Sequence, residues 1–412
     1  MIKLKKEFIP VLLGSDDNVY GFSRSFNELY NIKPIAITTR ILEPTRQSKI
    51  LDIIVDEQVH EENHLCKVLC DLGKKLKKEY KKLILIPCSD SYMEMVVKIK
   101  DKLVDYENEF IDYKRLKEFN DKESFYKMCE KYNMLYPKTY ICSKDNYEDI
   151  VKSIDLDYPL ILKPNNSNSN EYLSATFEGK EKVYFINSKE ELLSKIKLIY
   201  SSTYKDTLII QKYINGDDTN MRVLNTYSDK TGKVKMMCLG QPILEEYHPN
   251  TYGNYASIIS LKEHIPLMDD IKNFLENINY KGPANFDIKM DSETHKYYLF
   301  EINPRPGRSS FFTYYAGCSF AKCYVEDLVY NNLNENIDAK NEILWLNVPM
   351  SLVKKYVKNE GILNKVRKLK KEKKVYHTLI YKKDYSFKRR LLILKHYARK
   401  INYYPKYYID KK

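Results

Sequence analysis

Three short apolar runs, separated by stretches with helical periodicity, constrain how the first hundred residues fold. The runs lie at residues 8–14, 35–39 and 83–88. A helical pattern at residues 23–30 separates the first two runs, and a Lys-rich one at about residues 61–81 precedes the third. Strands that are apolar throughout and alternate with helices form parallel sheets covered on both faces. We therefore predict a Rossmann-like parallel-sheet domain over residues 1–112.

The loops that follow two of these strands are candidate edges of a ligand pocket. Residues 14–17 follow the first strand and residues 89–91 follow the third, and both loops contain Ser and Asp. Parallel sheets bind ligands beyond the carboxyl ends of their strands. We therefore expect these two loops to border a pocket.

The sequence has neither a secretory nor a membrane-spanning pattern. No run of about 18 apolar residues occurs, and residues 1–7 lack the apolar stretch of a signal peptide. The eight cysteines are scattered without a CxxC pair, which is typical of a reducing compartment. We expect a cytoplasmic protein whose 412 residues form two to three domains of roughly 150 residues each.

Positive charge is concentrated near the end of the chain. Residues 354–412 contain 21 Lys and Arg against 4 Asp and Glu, a net charge of +17, whereas residues 1–353 carry −4. Tyrosines are interleaved with these cations. Such a pattern is typical of a region that binds a polyanion. The candidates are nucleic acid, an anionic membrane surface and a diphosphate substrate. The alternative is a pair of basic helices that only face solvent.

A lysine ends one of the apolar strands in the middle of the chain. Residues 158–164 form this strand, Lys163 lies near its end, and an Asn- and Ser-rich loop follows at residues 165–170. Lysine is rarely buried unless its ammonium group meets an anion. Lys163 is therefore a candidate for phosphate contact. A further apolar strand at residues 208–214 runs into an acidic turn.

Two alternating strands, at residues 284–291 and 298–303, carry the most specific pattern. Glu301 and Asn303 are two residues apart, so both side chains leave the same face of the strand. Asp287 on the neighbouring strand can meet them. These hard oxygen donors suit Mg²⁺, and Arg305 just beyond them suits phosphate or carboxylate. The alternative is a surface hairpin with incidental charges.

Taken in order, these residues resemble the ATP-grasp fold of carboxylate-amine ligases. The resemblance rests on Lys122, Lys163, the stretch 211–214, Asp287 and the stretch 301–305. It covers about residues 113–330 and implies an α/β chain in which an ATP-grasp domain, residues 113–340, follows the parallel-sheet domain. A basic, helical C-terminal region would then occupy residues 341–412.

The resemblance also implies a role for each site residue. For ATP, Lys122 and Lys163 would contact the phosphates, Asp218 would hold the ribose, and Gln211, Lys212 and Ile214 would line the adenine, the last two through their backbone. The ion would be Mg²⁺, with Mn²⁺ as an alternative, held by Asp287, Glu301 and Asn303. Phosphate and substrate would be contacted by Arg305 and Arg308. A carboxylate would form an acyl-phosphate and ADP, and an amine would then form the amide. A lid at about residues 165–186 would exclude water.

The N-terminal segment, through residues 8–14 and 24–26, resembles more narrowly the D-aspartate ligase branch, which extends peptidoglycan precursor peptides. This implies a small amino acid, D-aspartate, and an amine acceptor such as a UDP-linked muropeptide. The basic region would contact an anionic membrane at its inner face, and no nucleic acid is expected. Dipeptide synthesis, bicarbonate activation and a non-catalytic nucleotide-binding module remain alternatives. Arg308 is the candidate for holding the second carboxylate of a dicarboxylic substrate, with Arg222 in reserve.

Overall fold

The computed structural model describes residues 5–166, 169–249 and 251–408. The chain forms two compact units, each assembled from separate stretches. The first unit contains Met1–Leu116, Asp217–Asp287 and Asn303–Lys412, and the second contains Lys117–Gly216 and Ile288–Ile302. The chain passes between the two units several times, so this division does not correspond to consecutive domains. The domain boundaries predicted at residues 112 and 340 therefore stay predictions.

The first unit begins with alternating strands and helices. They are β1 (Lys6–Leu13), α1 (Asp17–Tyr30), β2 (Ile35–Thr38), β3 (Asp52–Val55), α2 (Glu62–Leu76), β4 (Tyr80–Pro87) and α3 (Asp90–Ile99). The strands pair in parallel in the order β3-β2-β1-β4. The predicted parallel sheet is therefore confirmed. Strand β3 was not predicted, because it is a half-exposed edge strand with a short apolar run.

Both faces of this sheet are covered. Ile9, Val11 and Leu13 of β1 face a core completed by α2 and α3. Leu12 faces the other core, to which residues from much later in the chain contribute, among them Phe312 and Trp345. Alternate side chains of one buried strand therefore enter two separate cores, which explains why its sequence is apolar throughout.

A four-stranded antiparallel sheet forms the centre of the second unit. Its elements, with the helix that leads into it, are α4 (Tyr113–Asn120), α5 (Lys122–Lys131), β5 (Thr139–Cys142), α6 (Tyr147–Ser153), β6 (Leu160–Pro164), α7 (Asn170–Ser174), β7 (Tyr184–Ile186), α8 (Lys189–Tyr200) and β8 (Leu208–Lys212). The strand order is β5-β8-β6-β7. Asp121 caps α5 and accepts the Ser124 N–H at 2.8 Å.

The rest of the first unit is built on a larger sheet. The chain continues with β9 (Met221–Ser228), β10 (Val234–Glu245), β11 (Tyr255–Ser260), α9 (Pro266–Asn277), β12 (Gly282–Met290), β13 (Tyr297–Asn303), α10 (Phe312–Ala316), α11 (Phe320–Tyr324), β14 (Ile337–Asp338) and β15 (Leu344–Leu346). Strands β12 and β13 are the predicted hairpin, and they are neighbours in this sheet. The far part of the hairpin belongs to the second unit.

The C-terminal region is helical, as predicted, and also contributes a strand. It contains α12 (Met350–Tyr356), α13 (Glu360–Lys371), β16 (Val375–His377) and α14 (Phe387–Tyr407). Strand β16 pairs in parallel with β15 of the larger sheet. Within the described residues, no helix combines the length and the apolarity needed to cross a membrane.

One cation of this region is not at the surface. Arg389 is 2% exposed, forms an ion pair with Asp384 at 2.8 Å and donates to the carbonyls of Pro44 and Arg46. In the sequence it lies between Lys388 and Arg390, within the basic region that was predicted to meet a polyanion or solvent. That prediction is wrong for Arg389, because its charge is neutralised inside the first unit.

Candidate active site

Lys163 lies on β6 of the second unit, between two buried residues. Its ammonium group donates to Gln211 Oε1 at 2.9 Å and to the Tyr126 hydroxyl at 3.2 Å. The ring centroids of Tyr126 and Phe300 lie 5.9 and 6.0 Å from the Lys163 nitrogen. These distances are at the limit of about 6 Å for a cation–π contact. Burial lowers the pKa of Lys163 to about 8, although the charge of Glu301 acts to raise it. The strand thus presents a buried ammonium group that is held by Gln211 and Tyr126.

Lys122, the first residue of α5, lies beside the end of the same strand. Its backbone N–H donates to Asn165 Oδ1 at 3.1 Å and its ammonium to Asn165 O at 2.9 Å. Asn165 in turn donates to Asp121 at 2.6 Å. Burial and the charge of Lys163 lower the pKa of Lys122, while Glu301 raises it. The second unit therefore gathers two lysines and one carboxylate that influence each other electrostatically.

Sequence reasoning missed Tyr126 and Asn165 in this group. Tyr126 lies four residues after Lys122, hence on the same side of α5, and that spacing was a usable signal. Asn165 gave no signal, because its role depends on the approach of α5 to the end of β6. The loop beyond it passes through Ser167 and Asn168, which lie outside the described residues. Part of the predicted lid therefore has no structural description.

The adenine and ribose candidates lie in different units. Gln211 is buried on β8, the Lys212 N–H donates to Lys138 O at 2.9 Å, and Ile214 is buried; all three belong to the second unit. Asp218 belongs to the first unit. Its Oδ2 accepts the Glu245 N–H at 3.0 Å and the Tyr247 hydroxyl at 2.8 Å.

The three metal candidates lie on the hairpin of β12 and β13. Asp287 Oδ1 accepts a hydrogen bond from the Tyr255 hydroxyl at 2.6 Å, and Asn303 Oδ1 accepts one from Arg305 at 3.3 Å. A hydrogen bond to one oxygen of a carboxylate, as at Asp287, orients the group for metal binding through the other oxygen. Among the described residues no group of three or more His, Cys, Asp or Glu is arranged for metal binding. The predicted set has two carboxylates and one amide oxygen, which fits a hard cation that keeps water and phosphate ligands.

Arg305 is held by Asp90, the first residue of α3 after the loop that follows β4. Its Nε donates to Asp90 Oδ1 at 2.6 Å and its second terminal nitrogen to Asp90 Oδ2 at 2.8 Å. Partial burial acts to raise the pKa of Asp90, but the charge and hydrogen bonds of Arg305 outweigh it and hold that pKa below its usual value. This two-point contact fixes the plane of the guanidinium group.

The loop that follows β1 and the first turn of α1 contact the other arginine and the segment between them. Arg308 Nε lies 3.5 Å from Asp16 Oδ2. Burial raises the pKa of Asp16, and Arg308 counteracts it. Asn18 donates to Pro306 O at 3.1 Å and accepts a hydrogen bond from the Ser310 hydroxyl at 3.0 Å. Asp16 and Asp90, one from each stretch predicted as a pocket edge, thus contact the arginine segment, a pairing that sequence alone did not reveal.

Comparison with known proteins supplies a relative over nearly the whole chain. The D-aspartate ligase of Enterococcus faecium (strain Aus0004) is 38% identical over 415 residues, which cover 98% of this chain and 97% of that protein. The D-alanine–D-alanine ligase of Acetivibrio thermocellus is 25% identical over 221 residues, or 49% of this chain and 55% of that protein. No protein-family model matches the chain.

Solved structures with low sequence identity share the fold. The N5-carboxyaminoimidazole synthetase of Staphylococcus aureus, complexed with ADP, gives a TM-score of 0.61 at 16% identity over 89% of this chain and 88% of that one. The L-amino acid ligase of Bacillus licheniformis gives 0.54 at 11% identity over 79% and 75%. These likenesses confirm the predicted ATP-grasp architecture. Given also its relative of nearly equal length, the chain belongs to the D-aspartate ligase family of ATP-grasp carboxylate-amine ligases.

Proposed function

We propose that the protein is an ADP-forming ligase that joins the carboxylate of D-aspartate to an amine of a peptidoglycan precursor, such as a UDP-linked muropeptide. The observation that carries this proposal is the 38% identity to a D-aspartate ligase over 98% of the chain. Two lysines with lowered pKa values beside a glutamate support it, because they suit a phosphate-rich substrate. The reaction would take place in the cytoplasm.

The second unit would hold most of the nucleotide. Lys122 and Lys163 would bind the phosphates, since a buried ammonium group gains most from an anion that replaces its lost hydration. Gln211, Lys212 and Ile214 would border the adenine. Because the Lys212 N–H is already donated to Lys138, its carbonyl is the group that we assign to the base. Asp218 of the first unit would hold the ribose.

Asp287, Glu301 and Asn303 would hold Mg²⁺, or Mn²⁺, which accepts the same oxygen donors. The bound ion would neutralise charge on the phosphate oxygens during transfer. Tyr255 would orient the carboxylate of Asp287 through the hydrogen bond described above. Arg305, held in one plane by Asp90, would stabilise the transferring phosphate and then the acyl-phosphate.

Substrate choice is the direct test of the proposed function. A dicarboxylic amino acid needs its second carboxylate held away from the phosphate, and the fork of Arg308 suits that task. We expect phosphate release with D-aspartate to exceed that with glycine or D-alanine, and Arg308→Lys to reduce this preference, since lysine cannot form the fork. The measurement is ATP-dependent phosphate release with a UDP-linked muropeptide as acceptor. Equal rates for the three amino acids, or the highest rate with bicarbonate, would refute the assignment.

Asp90→Asn tests how Arg305 is positioned. The amide can accept one hydrogen bond from Arg305 but loses the charge and one of the two contacts. We expect kcat to fall about 10-fold to 100-fold, as for other outer partners of site residues, with a smaller change in the KM for ATP. Ser91→Ala, at the next and also exposed residue of α3, is the control and should retain wild-type kcat. An unchanged kcat in Asp90→Asn would contradict the positioning role.

Nucleotide affinity should depend on pH through Lys163. Its pKa is about 8 without nucleotide, and bound phosphate favours the charged form, so binding above that pH takes up a proton. The affinity for ADP should therefore fall as pH rises. Above the pKa of Lys163, the loss of affinity should approach about tenfold per pH unit. Tyr126 nearby stays neutral, because burial raises its pKa to about 12. Calorimetry from pH 7 to 10 measures the slope, and the same slope in Lys163→Met would assign it to another group.

We further propose that the exposed cations of the C-terminal region contact an anionic membrane surface at the inner face. The support is the +17 net charge of residues 354–412. Two of its cations, Arg389 and Lys400, are buried, so their charges are not available to a membrane. Exposed charges act over about 8 Å at physiological ionic strength, so this contact should weaken as salt is added.

A further inference from the structure

The outward face of α14 carries an apolar stripe, which we define as Phe387, Leu391, Leu394 and Ile401. These side chains are 72, 52, 54 and 44% exposed. Their spacing of four, three and seven residues places them on one side of a helix. Large apolar side chains are usually inside, and exposed ones that are grouped mark an interaction surface.

A cationic row runs beside the stripe. It consists of Lys388, Lys395, Arg399 and Lys406, all exposed. At 100° per residue these four positions fall on one flank of the stripe, about a quarter-turn from its centre. The helix contains no Asp or Glu from residue 387 to residue 407. Arg399 also contacts Glu43. The outward surface of α14 is therefore both apolar and cationic.

The opposite face fixes the helix to the first unit. Buried Lys400 donates to Glu246 at 2.5 Å and to Asn347 O at 2.9 Å, and the buried Tyr404 hydroxyl donates to Glu245 O at 2.6 Å. Arg389 anchors the start of the helix in the same way. The stripe thus projects from a helix whose orientation is set by buried polar contacts, so its exposure does not result from a loosely attached segment.

We propose that α14 lies in the surface of an anionic lipid bilayer, with the apolar stripe inserted at the level of the headgroups and the cationic row on lipid phosphates. This inference rests on the proposed contact with an anionic surface and adds an apolar component to it. No described helix can cross a membrane, whereas a helix with one apolar stripe and adjacent lysines lies in the interface. Long cationic side chains reach the phosphates while their stems cover apolar surface.

Charge argues against a second copy of this chain as the occupant. In a two-fold dimer the same surface meets itself, so two cationic copies of α14 would be brought together. Like charges at close range repel, and no acidic residue of α14 offsets them. Anionic lipid supplies the opposite charge and an apolar layer together.

Co-sedimentation with vesicles tests this placement. The full-length protein is mixed with vesicles of phosphatidylcholine alone or with phosphatidylglycerol added, at low and high salt. We expect binding to the anionic vesicles, a loss of at least tenfold in Leu391→Ser/Leu394→Ser at both salt concentrations, and a loss mainly at low salt in Lys388→Gln/Lys395→Gln. Val104→Ser/Leu135→Ser removes two exposed apolar side chains outside α14 and should bind as wild type.

Each other outcome overturns the inference. If wild-type protein binds neither vesicle, both the apolar insertion and the electrostatic contact fail. If the Leu391→Ser/Leu394→Ser variant binds like wild type, the insertion fails while the electrostatic contact stands. If that variant instead abolishes self-association seen by sedimentation velocity and vesicle binding is absent, the occupant is a second copy. Phosphate release from soluble substrates should be unchanged in every variant, which separates these results from a failure of the proposed ligase activity.

Discussion

Glu301→Gln is expected to lower the rate of ADP formation at least about 100-fold while leaving the fold intact. Loss of an outer partner of a metal ligand already costs about 10-fold to 100-fold, and Glu301 is a proposed ligand itself. The substitution conserves shape and removes one formal charge from a site that must balance phosphate charge. A second effect follows from the lysines, because the Glu301 carboxylate raises the pKa of Lys163. Without the Glu301 carboxylate the pKa of Lys163 falls further. As pH rises, nucleotide affinity in the variant should therefore begin to fall at a lower pH than in wild type.

The measurement is ADP formation with Mg²⁺ varied from limiting to saturating, together with circular dichroism and thermal unfolding. Glu293→Gln makes the same chemical change at an exposed position of the same hairpin and is the matched control. It should retain wild-type turnover. If Glu301→Gln retains wild-type turnover at limiting Mg²⁺, Glu301 does not hold the ion.

Asp384→Asn is expected to destabilise the first unit by about 3–5 kcal/mol, because it breaks a buried ion pair and leaves Arg389 without its counter-charge. The side chains of Asp384 and Arg389 are 0 and 2% exposed. Asp384 also accepts the Tyr20 and Ser48 hydroxyls, both at 2.8 Å, and the Arg389 guanidinium lies 4.3 Å from the centre of the Tyr20 ring. An amide can replace some of these hydrogen bonds but not the charge.

Urea unfolding followed by fluorescence and circular dichroism measures this loss. Asp101→Asn changes an exposed aspartate in the same way and should alter the free energy of unfolding by less than about 0.5 kcal/mol. If Asp384→Asn unfolds within about 1 kcal/mol of wild type, the ion pair is not a main link between the C-terminal region and β1–α1. The Asp384 variant should still bind ADP at low temperature, since the proposed phosphate lysines belong to the second unit.

Much of the fold was predictable because the signals were local. The runs that became β1, β2 and β4 are apolar throughout, and burial on both faces requires that composition. The hairpin of β12 and β13 was predictable from alternation and a polar turn. Strand β3 was not, since a half-exposed edge strand needs no long apolar run. These differences follow from how many faces of a strand are buried.

The candidate site was predictable only as a set of residues. Lys163 and Glu301 each stand out within a few positions of sequence. The contact of Arg305 with Asp90 spans 215 positions and has no local signature. The same limit explains Arg389, whose partners among the first fifty residues convert a cation in a basic run into a buried structural residue. Patterns in sequence identify the groups, but long-range packing decides what each one contacts.

The core that Leu12 enters has a consequence for how the protein is made. Its members include apolar residues between positions 311 and 345 and Leu379, and the Tyr20 hydroxyl bonds to a carboxylate 364 positions later. A ribosome that adds about 5–20 residues per second needs about 20–70 s to supply that carboxylate. Throughout that interval one side of the N-terminal sheet is covered by α1 but lacks the rest of its core, whereas residues 117–216 already contain the four strands of their own sheet. Nascent chains stalled before residue 379 should therefore bind chaperones through the N-terminal segment, and release should coincide with emergence of the last helix.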